Sequence, residues 1–138
     1  MARGHILVVE DDDNVRHLLV DYLTEHSALR VDSARDGADA LHRVHVQKYD
    51  LVLLDVMMPH MTGIDFLDSL LALESDPSVG SLRKLPAVVV VTSASTEQIP
   101  RGQIEKRFPT LVRSVLRKPV QPAELDQCLE KWLRHSTG

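Results

Sequence analysis

Apolar residues along this chain arrive in short unbroken runs, separated by longer stretches of helical period. Ile6, Leu7, Val8 and Val9 form the first run, which ends at four acids, Glu10 to Asp13. A run without polar alternation predicts a strand buried on both faces, as in a parallel sheet. Val15, Leu18, Leu19, Tyr22 and Leu23 follow at spacing i, i+3, i+4, i+7, i+8, one stripe of a helix whose first turn Asp12 or Asp13 is placed to cap. Residues 29–33 make a weaker strand. Asp36-Gly37 signals a turn, and Ala38, Ala40, Leu41 and Val44 a second helix. Residues 51–54 give another buried strand, ending at Asp55; residues 57–63, punctuated by Pro59 and Gly63, read as a loop. Ile64, Leu67, Leu70 and Leu71 mark a third helix, residues 75–86 a connector, and residues 87–91 the strongest strand in the chain. Pro100, Gly102 and Pro109 limit any fourth helix to about residues 103–108. A brief strand at 114–117 precedes Lys118-Pro119. Pro122 then opens a last helix with its stripe at Leu125, Cys128, Leu129, Trp132 and Leu133.

Strands alternating with helices predict an α/β fold: a doubly wound parallel sheet with helices on both faces. Ligands of such sheets sit beyond the carboxyl ends of the strands. Glu10-Asp11, Asp55, Thr92 and Lys118 all fall there.

Composition narrows the field. The chain has 138 residues, the size of one domain, and a net charge of −4 without a dense basic block, which argues against nucleic-acid binding. With 43% hydrophobic residues it builds a core, and with few aromatics that core is mostly Val, Leu, Ile and Ala. The single cysteine, Cys128, excludes an internal disulfide. No apolar run is long enough for a membrane span, and the early acids do not fit a signal peptide, so a cytoplasmic setting is expected.

Glu10, Asp11 and Asp55 at neighbouring strand ends would repel one another and so require a cation or a proton. Carboxylate, carbonyl and water ligands suit a hard ion such as Mg²⁺. A metal, the Lys118 ammonium and the Thr92 hydroxyl around a carboxylate match the needs of phosphoryl transfer, with Asp55 as nucleophile.

The sequence resembles the receiver domains of two-component response regulators. The resemblance rests on residues 6–11, on Asp55-Val56-Met57-Met58-Pro59 with Gly63, on Val91-Thr92-Ser93 and on Lys118-Pro119, all in family order. It implies a five-stranded sheet of flavodoxin-like order 2-1-3-4-5. It implies that Asp55 is the phosphoacceptor, that Thr92 and Lys118 contact the phosphoryl group, and that Mg²⁺ is held by Glu10, Asp11, Asp55 and the Met57 backbone carbonyl. The donor would be a phosphohistidine on a sensor histidine kinase or histidine phosphotransfer protein. The output would be a protein target bound through the face of the fourth helix, fifth strand and fifth helix, by a monomer or weak dimer. The chain would catalyse only its own phosphorylation and dephosphorylation. A single receiver domain over residues 1–138, with a core at about 6–133 and no effector domain, is expected.

Plainer readings apply elsewhere. Asp12 and Asp13 read as helix caps, His42 and His45 as surface histidines, Cys128 and Trp132 as packing residues. Met57 is placed to shield an acyl phosphate from water. A haloacid dehalogenase-type phosphatase needs a second carboxylate two residues after its nucleophile, where this chain has Met57. A flavin site would not follow the first strand with four acids. A third alternative is a receiver-like interaction module that is never phosphorylated. Many receivers carry Tyr or Phe three residues before the lysine; here Val115 stands there, too short and stiff to act as an aromatic switch. The signal is therefore expected to pass through backbone movement of residues 94–115.

Overall fold

The fold was analysed in a computed structural model, which describes residues 4–26, 29–56, 63–74, 85–92 and 101–136. The elements are β1 (Gly4–Val9), α1 (Asp13–His26), β2 (Leu29–Ala34), α2 (Gly37–Val46), β3 (Leu51–Asp55), α3 (Gly63–Glu74), β4 (Ala87–Thr92), α4 (Arg101–Arg107), β5 (Val112–Arg117) and α5 (Pro122–Ser136). The five strands form one parallel sheet of order β2-β1-β3-β4-β5, as the sequence implied.

The unbroken apolar runs are explained by two cores. Leu7, Val9, Val52, Leu54, Val88 and Val90 point to one face, where they meet Ala40 and Val44 of α2, Phe66, Leu67 and Leu70 of α3, and Ile104 of α4. Ile6, Val8, Leu51, Leu53 and Val89 point to the other, against Leu23 of α1 and Leu125, Cys128 and Leu129 of α5. Alternate residues of each central strand thus feed opposite layers, so neither register of the alternation has room for a polar side chain. The strong β1, β3 and β4 signals and the weak β2 signal reflect position. β2 is an edge strand and only Ala34 in it is fully buried.

Several boundaries differ from expectation: β1 starts two residues early, at Gly4, β2, β3 and β4 each run one residue further, and three other differences have local causes. β5 starts two residues early, at Val112, because the β4–β5 register shifts between Val88 and Val89 and skips Arg113; that exposed arginine hid the strand start. α4 starts at Arg101, and Phe108 follows its end with its amide bonded to the Ile104 carbonyl. α2 starts at Gly37, after Asp36, whose carboxylate accepts the Asp39 amide at 2.8 Å. Residues 57–62, most of the connector and residues 93–100 lie outside the described residues. So do the readings that fall on them: the Met57 carbonyl and shield, and residues 94–100 of the proposed moving segment.

Gly63 opens α3 hard against the end of β3. A Cβ built on it would lie 2.6 Å from Val56 Cα, and its amide donates to the Val56 carbonyl at 3.0 Å. The obstacle is backbone and cannot rotate away. Gly63→Ala is expected to cost about 2 kcal/mol by overpacking, read as a lower urea midpoint; an unchanged midpoint contradicts the close approach.

At the opposite end of the sheet from the acids, Asp32 accepts the Tyr49 hydroxyl at 2.8 Å and faces His5 Nε2 at 2.7 Å, with the His5 and Tyr49 rings 4.4 Å apart. Burial, with the neighbouring Asp32 carboxylate, pushes Tyr49 up to about 12. A raised pKa means the folded state holds the proton more tightly. This contribution is present below the ordinary value of 10 and is lost as pH rises to about 12. Stability is expected to fall across that window, and Tyr49→Phe to flatten the fall in denaturant titrations at stepped pH.

Candidate functional site

The carboxyl edge of the sheet gathers the residues expected there. Glu10 follows β1, Asp55 and Thr92 are the last residues of β3 and β4, and Lys118 follows β5. Backbone bonds lock these ends together: Glu10 N–H to the Ala34 carbonyl at 3.1 Å, Val56 N–H to Val91 at 3.4 Å and Lys118 N–H to Thr92 at 2.8 Å. The Lys118–Pro119 bond is cis.

Glu10, Asp55 and Thr92 are buried, at 2%, 4% and 8% exposure, while Asp11 is exposed. Lys118 reaches across the edge to Glu10 Oε1 at 2.6 Å and to Asp55 Oδ2 at 3.5 Å. One carboxylate oxygen from each of Glu10, Asp11 and Asp55 lies within 4.8 Å of the others. Among the described residues this is the one such group of acids, histidines or cysteines; His42 and His45 of α2 do not enter it.

The electrostatics follow from this crowding. Burial, then Asp55, raises the Glu10 pKa against the opposing pull of Lys118. Burial and Glu10 raise Asp11. Burial alone would lower Lys118, but Glu10 and Asp55 outweigh it and hold its pKa above the ordinary value. The ammonium therefore stays charged. Three carboxylates and one ammonium leave two negative charges in excess. An all-oxygen donor set with that excess fits a hard divalent cation.

One buried residue escaped sequence reasoning. Arg16, on α1 and 7% exposed, donates from Nη1 to the Glu10 carbonyl at 3.0 Å and pairs with the Asp13 carboxylate. It ties the helix to the strand end that carries Glu10 and Asp11. An arginine in a helix otherwise reads as solvated; the one available hint was Asp13 three residues before it. Asp12 caps α1, accepting the Val15 amide at 3.0 Å, so the plainer reading holds for it. Asp13 instead serves Arg16. Cys128 and half-buried Trp132 lie in the α1–α5 core, and burial raises the Cys128 thiol pKa.

Comparison with known proteins bears on this arrangement. The response regulator receiver domain family matches residues 6–130. A protein-glutamate methylesterase/protein-glutamine glutaminase of Geobacillus kaustophilus is 33% identical over 122 residues, 88% of this chain and 32% of that protein. The chain spans about a third or less of the length of the curated relatives it matches first. Among solved structures, a CheY-like receiver domain from Methylobacillus flagellatus superposes with a TM-score of 0.74 at 24% identity, covering 93% of this chain and 97% of that one. The response regulator TrrA of Thermotoga maritima, solved with Mg(2+)-BeF, gives 0.73 at 25% identity, covering 94% and 98%. Sheet order, strand-end acids and a family match over residues 6–130 agree, and the chain belongs to the receiver domains of response regulators.

Proposed function

We propose that this chain is the phosphoacceptor of a two-component relay, taking a phosphoryl group onto Asp55. The observation that carries the reading is the Lys118 ammonium set between two buried carboxylates at the carboxyl edge, 2.6 Å from Glu10 and 3.5 Å from Asp55. An Asp55 oxygen forms the new P–O bond as the P–N bond of a phosphohistidine breaks, and the imidazole leaves. Lys118 neutralises charge on the transferring phosphoryl oxygens, and the Thr92 hydroxyl donates to one of them. Arg16 holds the Glu10 main chain still while this happens. Glu10, Asp11 and Asp55, with the Met57 carbonyl, would hold Mg²⁺, which supplies further neutralisation of the phosphoryl oxygens when bound.

The donor is a histidine kinase or histidine phosphotransfer protein. A cleft of about 570 Å³ supports this. Its walls are apolar, from Val15, Leu18 and Leu19 of α1 to Pro119 and Val120, and Asp55 and Lys118 line it too. Leu18 is 70% exposed at this cleft, an apolar surface fit for a partner that presents its histidine to Asp55. The output is a protein contact on the α4–β5–α5 face, made by a monomer or weak dimer in the cytoplasm. Residues 1–138 act as a single receiver domain, with a core at about 6–133. The reaction is the chain's own phosphorylation and dephosphorylation; the esterase and glutaminase activities named for its relatives are theirs.

Incubation with a small phosphodonor and Mg²⁺, followed by intact mass measurement, tests the proposal. Gain of one phosphoryl group, dependent on Mg²⁺, is expected. No gain, together with no beryllofluoride binding, would leave the unphosphorylated interaction module as the better reading.

A further inference from the structure

Charge is unevenly divided along the chain. Residues 1–100 carry eight Lys and Arg against sixteen Asp and Glu, a balance of −8, while residues 101–138 carry eight against four, a balance of +4. This basic C-terminal segment is the one that builds α4, β5 and α5. Its acids are engaged. Asp126 takes the Tyr22 hydroxyl of α1 at 2.9 Å, Glu124 takes the Gln121 amide at 3.4 Å, and Glu105 and Glu130 have partners. Its cations are less so. Among the described residues Arg113 and Lys131 form no ion pair with a carboxylate, and both lie over one indole: the Arg113 guanidinium 5.6 Å and the Lys131 ammonium 4.8 Å from the Trp132 ring centre.

That indole is fixed. Trp132 donates from Nε1 to Ser114 Oγ at 3.1 Å and is only half-buried, so part of its side chain stays exposed. Arg117 adds a further exposed cation on the same edge strand. A rigid aromatic flanked by cations offers both an apolar anchor and charge to an incoming chain.

We propose that the Arg113–Trp132–Lys131 patch binds an acidic segment of a partner protein, with an apolar side chain of that segment seated against the indole. This rests on the reading above that the α4–β5–α5 face carries the output, and adds the chemistry of what it recognises. A protein segment is favoured over nucleic acid because the acidic remainder of the chain repels a long polyanion, whereas a short acidic stretch meets only the basic C-terminal segment.

The chain's one tryptophan makes the test direct, since its emission reports this patch. The full chain is titrated with a short Glu-rich peptide carrying a single Leu. The expected result is a saturable emission change that weakens about tenfold or more as ionic strength rises from about 0.05 to about 0.3 M. Arg113→Glu with Lys131→Glu should abolish it, and Arg113→Gln with Lys131→Gln should weaken it while leaving the melting temperature in place. No saturable change, equal binding by the charge-reversed protein, or tighter binding of an equally charged single-stranded oligonucleotide would each overturn the proposal. Repeating the titration with beryllofluoride and Mg²⁺ separates the two readings. Peptide binding that ignores beryllofluoride keeps the patch and sinks the output assignment. Beryllofluoride capture at the acids without peptide binding in either state sinks the patch and keeps the phosphoacceptor.

Discussion

Asp55→Asn is expected to abolish phosphoryl gain while making the metal-free protein more stable at neutral pH. The first part follows because an amide is a poor nucleophile and Asp55 is the buried carboxylate held against Lys118; the rate should fall by about three orders of magnitude or more. The second follows from the crowding of three carboxylates within 4.8 Å. Two unit charges about 4 Å apart repel by roughly 4 kcal/mol at an effective dielectric of about 20. Lys118 offsets part of this and keeps its bond to Glu10 at 2.6 Å in the variant. A net gain on the order of 1 kcal/mol, or several degrees in melting temperature, is expected without metal. It should shrink when Mg²⁺ is added, because the parent gains more from the ion. Parallel thermal melts with and without Mg²⁺ check the stability half. A destabilised variant would mean that Asp55 is held by attraction to Lys118 more than it is repelled by its fellow acids.

Lys118→Met is expected to act in the opposite direction. Methionine keeps much of the side-chain volume but leaves Glu10 and Asp55 buried without a cation. Removing one partner of a buried pair costs about 3 kcal/mol when the other stays charged. Here Glu10 relieves part of that cost by taking up a proton, since burial and Asp55 already raise its pKa. Without Lys118 the rise is larger. A group whose folded pKa is raised contributes stability below its unfolded value and loses it as pH climbs through the folded value. The variant should therefore match the parent near the ordinary glutamate pKa of 4.5 and fall behind as pH increases. Mg²⁺ should recover much of the loss at neutral pH. Phosphoryl acceptance should drop by about a hundredfold or more, because a fixed cation facing the transferred oxygens is gone. Urea titrations at acid and neutral pH, with and without Mg²⁺, provide the check. A deficit that does not grow with pH contradicts the electrostatic account.

The sequence made legible what burial enforces. β1, β3 and β4 stood out because each feeds both cores, so Leu53 and Leu54 must both be apolar. Glu10, Asp11 and Asp55 stood out because charges closing such runs have no packing role. What stayed hidden depends on contacts between distant residues. Arg113 broke the apparent strand because the β5 register skips it, and it gains its place only against Trp132, nineteen positions on. Arg16 looked like a solvated helix residue because only the folded chain brings the Glu10 carbonyl to its guanidinium. The cleft beside Asp55 joins α1 to the segment after β5, and no local pattern announces that meeting.

The central claim is that Asp55 itself carries the phosphoryl group. Borohydride reduces an aspartyl phosphate to homoserine, so brief treatment of the Mg²⁺- and phosphodonor-loaded protein, followed by peptide mapping, locates it. Homoserine at position 55, absent without Mg²⁺ and absent in Asp55→Asn, is the result expected. Homoserine at Asp11 or another aspartate, or phosphoryl gain with none at position 55, would contradict the account.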